Sequence, residues 1–180
     1  MTKTISRTRR QSGQAMVEFL LVIIFVFIVF VSMVQMILLM HAYNTLADAA
    51  KEGVRYAMVH GTGLGTTYCS GPGTVSGATP SVKCTDSTGT NVVTDITYFS
   101  AVSFQSISTT NNQCSTPGAN SINVCYDPGN ANTNNSNFGT ACSQPGCLVR
   151  VTVSHTYTPF FGLGWPKFTL NAAADGIITD

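Results

Sequence analysis

From Phe19 to Met40 the chain reads FLLVIIFVFIVFVSMVQMILLM, 22 residues with Ser32 and Gln35 as the polar side chains and no charge. As an α-helix this run rises about 33 Å, enough to cross a hydrocarbon core of about 30 Å. A removable secretory signal would have an apolar stretch of about 7–15 residues followed by a small-x-small cleavage site. This run is longer, and the Met40-His41-Ala42-Tyr43 that follows is a poor cleavage site. The expectation is a single-pass anchor, with the bilayer spanning about residues 17–40 and lipid as a partner.

Charge placement orients the anchor. Lys3, Arg7, Arg9 and Arg10 precede Gly13 with no acid among them, so residues 1–13 form a basic leader that the positive-inside bias keeps in the cytoplasm. The remainder then lies outside. From Gln14 onward five basic and eight acidic residues leave a balance of −3, which argues against nucleic-acid binding, since phosphate recognition needs clustered cations. Six cysteines, Cys69, Cys84, Cys114, Cys125, Cys142 and Cys147, are confined to the downstream region. An even count without a C-x2-C knuckle favours a disulfide framework over zinc, and with it an oxidising compartment.

The helix is expected to outlast the membrane. Ala42 to Val59 contains no proline and one glycine. Leu46, Ala50, Gly53, Val54 and Ala57 recur at three- and four-residue steps and form an apolar stripe, while Asp48, Lys51, Glu52 and Arg55 lie off it. Gly61, Gly63 and Gly65 then end the element. One continuous helix over residues 14–59 is predicted, its first half facing lipid and its second half offering a stripe to a folded domain.

The membrane edge carries the most specific signal. In Arg9-Arg10-Gln11-Ser12-Gly13-Gln14-Ala15-Met16-Val17-Glu18-Phe19-Leu20, a carboxylate directly precedes the apolar run. Carried to the bilayer centre it would cost about 2.5–3.5 kcal/mol, so Glu18 needs a partner or a headgroup location. Two readings stand on charge alone. Glu18 can sit at the interface near Arg9 and Arg10. Alternatively, cutting after Gly13 would expose the α-amine of Gln14, and that amine, its own or a neighbouring helix's, would neutralise Glu18.

A basic leader, a glycine, a glutamate at the fifth position after it and a long apolar helix resemble a type IV prepilin. The stretch SGQAMVEFLLVIIFVFIVFV is most similar to the TadE-like proteins of the tight-adherence, or Flp, pilus system. The Ala-rich segment Asn44–Ala57 (NTLADAAKEGVRYA) resembles that family as well, and Val149–Tyr157 with Phe168–Ala174 does so more weakly. The resemblance implies a non-enzymatic minor pilin or pseudopilin of the bacterial inner membrane. It implies a prepilin peptidase cutting between Gly13 and Gln14, with Glu18 and Phe19 serving charge pairing and assembly. Partners would be other pilin subunits and the assembly machinery. Gln14 departs from the large apolar first residue of many major pilins.

Residues 60–180 are expected to form an extracytoplasmic, disulfide-rich α+β domain. Gly61 to Thr90 reads as loop. In Asn91 to Phe104, Val92, Ile96 and Phe99 fit a helix face while Ile96, Tyr98, Val102 and Phe104 fit a strand about as well, and the reading taken is a short helix leading into a strand. Ile122, Val124 and Tyr126 alternate, making Ser121 to Tyr126 a strand before the turn Asp127-Pro128-Gly129-Asn130. The clearest strand is Leu148 to Thr158, with Val149, Val151, Val153, His155 and Tyr157 on one face. A Pro159-Phe160-Phe161-Gly162 turn and a return strand from Lys167 to Ala173 follow. A sheet of three or four antiparallel strands must cover its apolar face, and the Leu46–Ala57 stripe is the natural cover. Six cysteines allow about fifteen pairings, among which sequence does not choose; sequential pairing, Cys69–Cys84, Cys114–Cys125 and Cys142–Cys147, is one of them.

Catalytic and metal signatures do not assemble. His41, His60 and His155 have no companion at ligand spacing, no G-x-S-x-G elbow occurs, and Gly61-x-Gly63-x-Gly65 follows a helix rather than a strand. Asn130 to Asn134 resembles a calcium loop but lacks its glycine and terminal acid. No cofactor or metal is expected. Beside the pilin reading stands an unprocessed, permanently anchored binding module or adhesin. A membrane-tethered hydrolase is a distant third.

Overall fold

A computed structural model describes residues 9–71, 79–87, 89–99, 108–111, 118–126, 143–159 and 166–180. Helix α1 runs unbroken from Arg9 to Val59, 51 residues and about 76 Å at 1.5 Å per residue. It starts five residues before the expected Gln14. Arg and Gln are good helix formers, and the single Gly13 costs only about 1 kcal/mol relative to alanine, too little to stop a helix with the apolar run behind it.

At its other end α1 is closed by the domain. The Met58 carbonyl accepts hydrogen bonds from Thr179 N at 2.9 Å and Thr179 Oγ1 at 3.2 Å. The His60 carbonyl accepts from Ser70 N at 2.7 Å. Orphan carbonyls at the helix end therefore find backbone partners far along the chain. Gly61 is required by crowding here, since a Cβ would run into the Asp180 and Ser143 carbonyl oxygens.

A short 3-10 turn, Thr62–Leu64, begins the loop region, and α2 follows at Thr90–Phe99. Asp86 starts α2: its carboxylate accepts from Thr90 N and Asn91 N, both at 2.8 Å. That satisfies two of the free amides at a helix N-terminus and places a negative charge at the positive end of the dipole. Ser70 donates to the same carboxylate at 2.6 Å.

Four strands, β1 (Ser108–Asn111), β2 (Ser121–Tyr126), β3 (Leu148–Tyr157) and β4 (Phe168–Ile177), form one sheet in the order β1-β2-β3-β4. β2, β3 and β4 are antiparallel as expected, with Val124 opposite Val151 and Val151 opposite Ala174. These three strands are the expected antiparallel sheet, and at its edge β1 is added in parallel to β2, Ser108 opposite Ser121. The sequence STTN has no apolar alternation, so neither the strand nor its direction left a pattern to read.

The core lies between the sheet and the two helices. Leu46, Ala49, Ala50, Val54 and Ala57 of α1 meet Val92, Val93 and Ile96 of α2 and the inward residues Ile122, Val124, Tyr126, Val149, Val151, Val153 and Ala172. The expected stripe is thus the stripe that is buried. Small residues let α1 approach closely: a Cβ on Gly53 would lie 2.5 Å from Ile96 Cδ1. Asp48, Lys51, Glu52 and Arg55 stay off the core, joined as Asp48–Lys51 at 3.3 Å and Glu52–Arg55 at 3.1 Å. Pairs this exposed contribute about 0–1 kcal/mol.

Cys69 and Cys84 form a disulfide, as in the sequential pairing. Cys125 and Cys147 are disulfide-bonded too. Cys114 and Cys142 lie outside the described residues, as do the Asp127–Asn130 turn, the Asn130–Asn134 loop and Phe160–Gly162 of the expected hairpin turn.

Candidate functional site at the membrane edge

The residues singled out by the motif all sit on α1. Gly13 lies within the helix, and an added Cβ there would meet no atom within 4 Å. Glu18 is exposed one turn further on, and its Oε1 accepts from Gln14 Nε2 at 3.5 Å, the long end of hydrogen-bond geometry. Phe19 is 65% exposed. The segment therefore offers a carboxylate weakly engaged within its own chain, next to an apolar surface with nothing packed on it.

That surface continues along the helix. Met16, Leu21, Phe25, Phe27, Phe30, Met33, Met36, Ile37 and Met40 are all exposed. A shallow apolar groove is lined by Ile28, Val29, Ser32, Met33, Met36 and Ile37. The Ser32 hydroxyl does not disturb it, because it donates to the Ile28 carbonyl at 2.8 Å, the usual way a serine is accommodated in an apolar helix. Among the described residues α1 is the one helix long and apolar enough to cross a membrane. Such exposure suggests membrane anchoring, since water would not tolerate an apolar face of this size.

Two residues break the pattern. Val31 and Gln35 are 4% and 5% exposed, although both lie inside the apolar run. Gln35 is reached by the far end of the β3–β4 hairpin, where Tyr157 Oη donates to Gln35 Oε1 at 3.0 Å. Phe168 faces Tyr157 across the hairpin with ring centroids 5.4 Å apart. The sequence reading missed this contact. Its signal was available, because a glutamine within an otherwise apolar span is expensive unless it finds a partner.

Polar groups elsewhere serve the domain. Tyr56 stacks on His60 at 3.9 Å, and the His60 Nδ1 lies 2.9 Å from the Tyr56 carbonyl. Burial raises the Tyr56 phenol, with Asp95 and Asp86 adding to the effect. Burial also raises Asp95, aided by Glu52 and opposed by His60. Tyr126, in the core, is pushed well above the ordinary tyrosine range by desolvation. Arg150 and Asp175 form a bidentate pair across β3 and β4 at 2.6 and 2.8 Å, and its hydrogen bonds hold Asp175 low. His155 lies on the inward face of β3, where desolvation lowers it. No group of three or more metal-ligating side chains assembles among the described residues.

Residues 13–55 match the family model described as TadE-like protein. This segment is TadE-like. The match begins at Gly13, takes in Gln14, Glu18 and Phe19, and ends at the exposed Arg55, one residue past the buried Val54, so it covers both the exposed apolar half of α1 and most of the half that carries the domain. Over these 43 of 180 residues the similarity suggests a Tad pilus-associated component, and TadE-like pilus proteins are structural rather than catalytic. Val149–Ala174, the weaker resemblance, falls outside the matched residues. No curated protein and no solved structure matches the chain.

Proposed function

We propose that the chain is a minor pilin or pseudopilin of Tad pilus assembly, without enzymatic activity. A prepilin peptidase removes residues 1–13 on the cytoplasmic face of the inner membrane, leaving Gln14 as the first residue. The domain stands outside the cytoplasm. The exposed helix then packs among other pilin helices, and the new amine neutralises Glu18, its own or a neighbour's. The observation that supports this most is the placement of Glu18: exposed, held within its chain by one long contact to Gln14, at the edge of an apolar helix face. Two opposite charges brought together in lipid attract strongly, whereas Glu18 alone would resist insertion.

Gly13→Val tests the processing step. The position has open space around it, so the variant does not disturb packing. It is expected to accumulate as uncut precursor in the native host, with pilus assembly lost. Normal cutting and normal pili would contradict the proposal. A second reading, an anchored binding module or adhesin that is never cut, is supported by the helix running unbroken through Gly13 and Gln14. It predicts a leader-bearing protein on the cell surface.

A further inference from the structure

The hairpin contact fixes the height of the domain above the membrane. Gln35 lies sixteen residues beyond Phe19, about 24 Å along the helix, whereas the hydrocarbon core is about 30 Å thick. With Phe19 at the inner boundary and Glu18 just outside it, Gln35 therefore sits about 6 Å inside the outer one. Sliding the helix outward to lift Gln35 clear would drag the Glu18 carboxylate into the core, the costlier arrangement. The helix surface agrees, since Met36, Ile37 and Met40 remain exposed and apolar around and beyond Gln35. Yet Tyr157 reaches Gln35 directly.

We propose that the connecting end of the β3–β4 hairpin, from Tyr157 to Pro159 and from Pro166 to Phe168, is a second membrane contact that sits in the headgroup and upper acyl region of the outer leaflet. This inference rests on α1 crossing the bilayer. The residues suit that zone. Tyr157 and Phe168 supply an aromatic pair, and a tyrosine with a polar tip is at home at such an interface. Pro159 and Pro166 have no backbone N–H, which removes two donors that would otherwise need partners where water is scarce. Lys167 is exposed and long enough to run its stem along apolar surface and present its ammonium to lipid phosphates. The domain is then held at two points, α1 and the hairpin, which limits its swivel about the helix axis.

A Trp165→Phe, Thr158→Trp variant carries its single tryptophan at an exposed position beside Pro159. The full-length variant is reconstituted into vesicles of phosphatidylcholine and phosphatidylglycerol, with insertion confirmed by resistance to alkaline extraction. Tryptophan emission is then compared in lipids brominated near the glycerol, in lipids brominated near the methyl end, and with acrylamide in the water. The expected result is severalfold quenching by the shallow bromines, weak quenching by the deep ones and little by acrylamide. Strong acrylamide quenching without bromolipid quenching would overturn the proposal and place the hairpin in water. Protection from every quencher would also overturn it, because the hairpin would then pack on protein. Loss of the chain on alkaline extraction would instead refute the membrane-spanning reading of α1 on which the proposal stands.

Discussion

Tyr157 donates a hydrogen bond to Gln35 at 3.0 Å, across 122 residues of sequence, and so couples the end of the β3–β4 hairpin to the middle of an apolar helix. The Tyr157→Phe variant keeps the ring and removes the donor. A loss of about 0.5–1.5 kcal/mol is expected, the usual net value of one hydrogen bond. A lower thermal midpoint for the full chain in detergent would show it, and an unchanged midpoint would mean the contact contributes nothing to stability.

Gly53 is where α1, α2 and β3 come closest. A methyl there would sit 2.5 Å from Ile96 Cγ1 and Cδ1 and 3.2 Å from Val151 Cγ1, and both of these residues are fully buried. Gly53→Ala is expected to destabilise the domain by about 1–3 kcal/mol through overpacking, despite alanine's better helix propensity. Gly13→Ala, where no neighbour lies within 4 Å, should cost nothing. Equal melting of the two variants would contradict the packing assigned to Gly53.

The Cys69–Cys84 bridge closes a stretch of 15 residues in sequence separation, for which loss of the cross-link is expected to cost about 3 kcal/mol. Its neighbours Ser70 and Asp86 hold the start of α2. Replacing both cysteines with serine should therefore lower stability in a denaturant titration. It should also speed amide exchange in Thr90–Phe99 more than in β3. Uniform exchange would separate the bridge from the cap.

Acid should destabilise the domain in two steps. His155 is lowered by burial, so the unfolded chain takes the proton first, and stability present above its ordinary 6.5 erodes as the pH falls through that value. Asp175 is lowered by Arg150, so its contribution holds above the ordinary 3.8 and is lost as the pH drops through its lower folded value. Asp95 is raised and works the other way, favouring the folded state as the pH falls. Thermal melts across this range should show His155→Gln removing the upper slope and Asp175→Asn the lower one. Unchanged slopes would contradict both assignments.

Much of this was legible in the sequence because it is periodic. The apolar stripe Leu46–Ala57 and the alternation Val149–Val151–Val153 were readable, since a buried face repeats at the period of its element. Ser121–Tyr126 was legible to the residue for the same reason. The parallel strand β1 was not, because its polar sequence carries no face. The early start of α1 was hidden by Gly13, which reads as a boundary but is only a weak one. Gln35 was visible as an oddity in the apolar run. Its partner Tyr157 was not, because contacts distant in sequence leave no local spacing. Of the candidate site, Gly13, Gln14, Glu18 and Phe19 were read from the motif alone, and the family match begins at that glycine.

The intact mass of the protein isolated from membranes of its native host tests the central claim most directly. A mature pilin-type subunit predicts a chain that begins at Gln14, with its amine free to meet Glu18. A chain that still carries Lys3 to Gly13 would contradict that account and leave a tethered surface domain in its place.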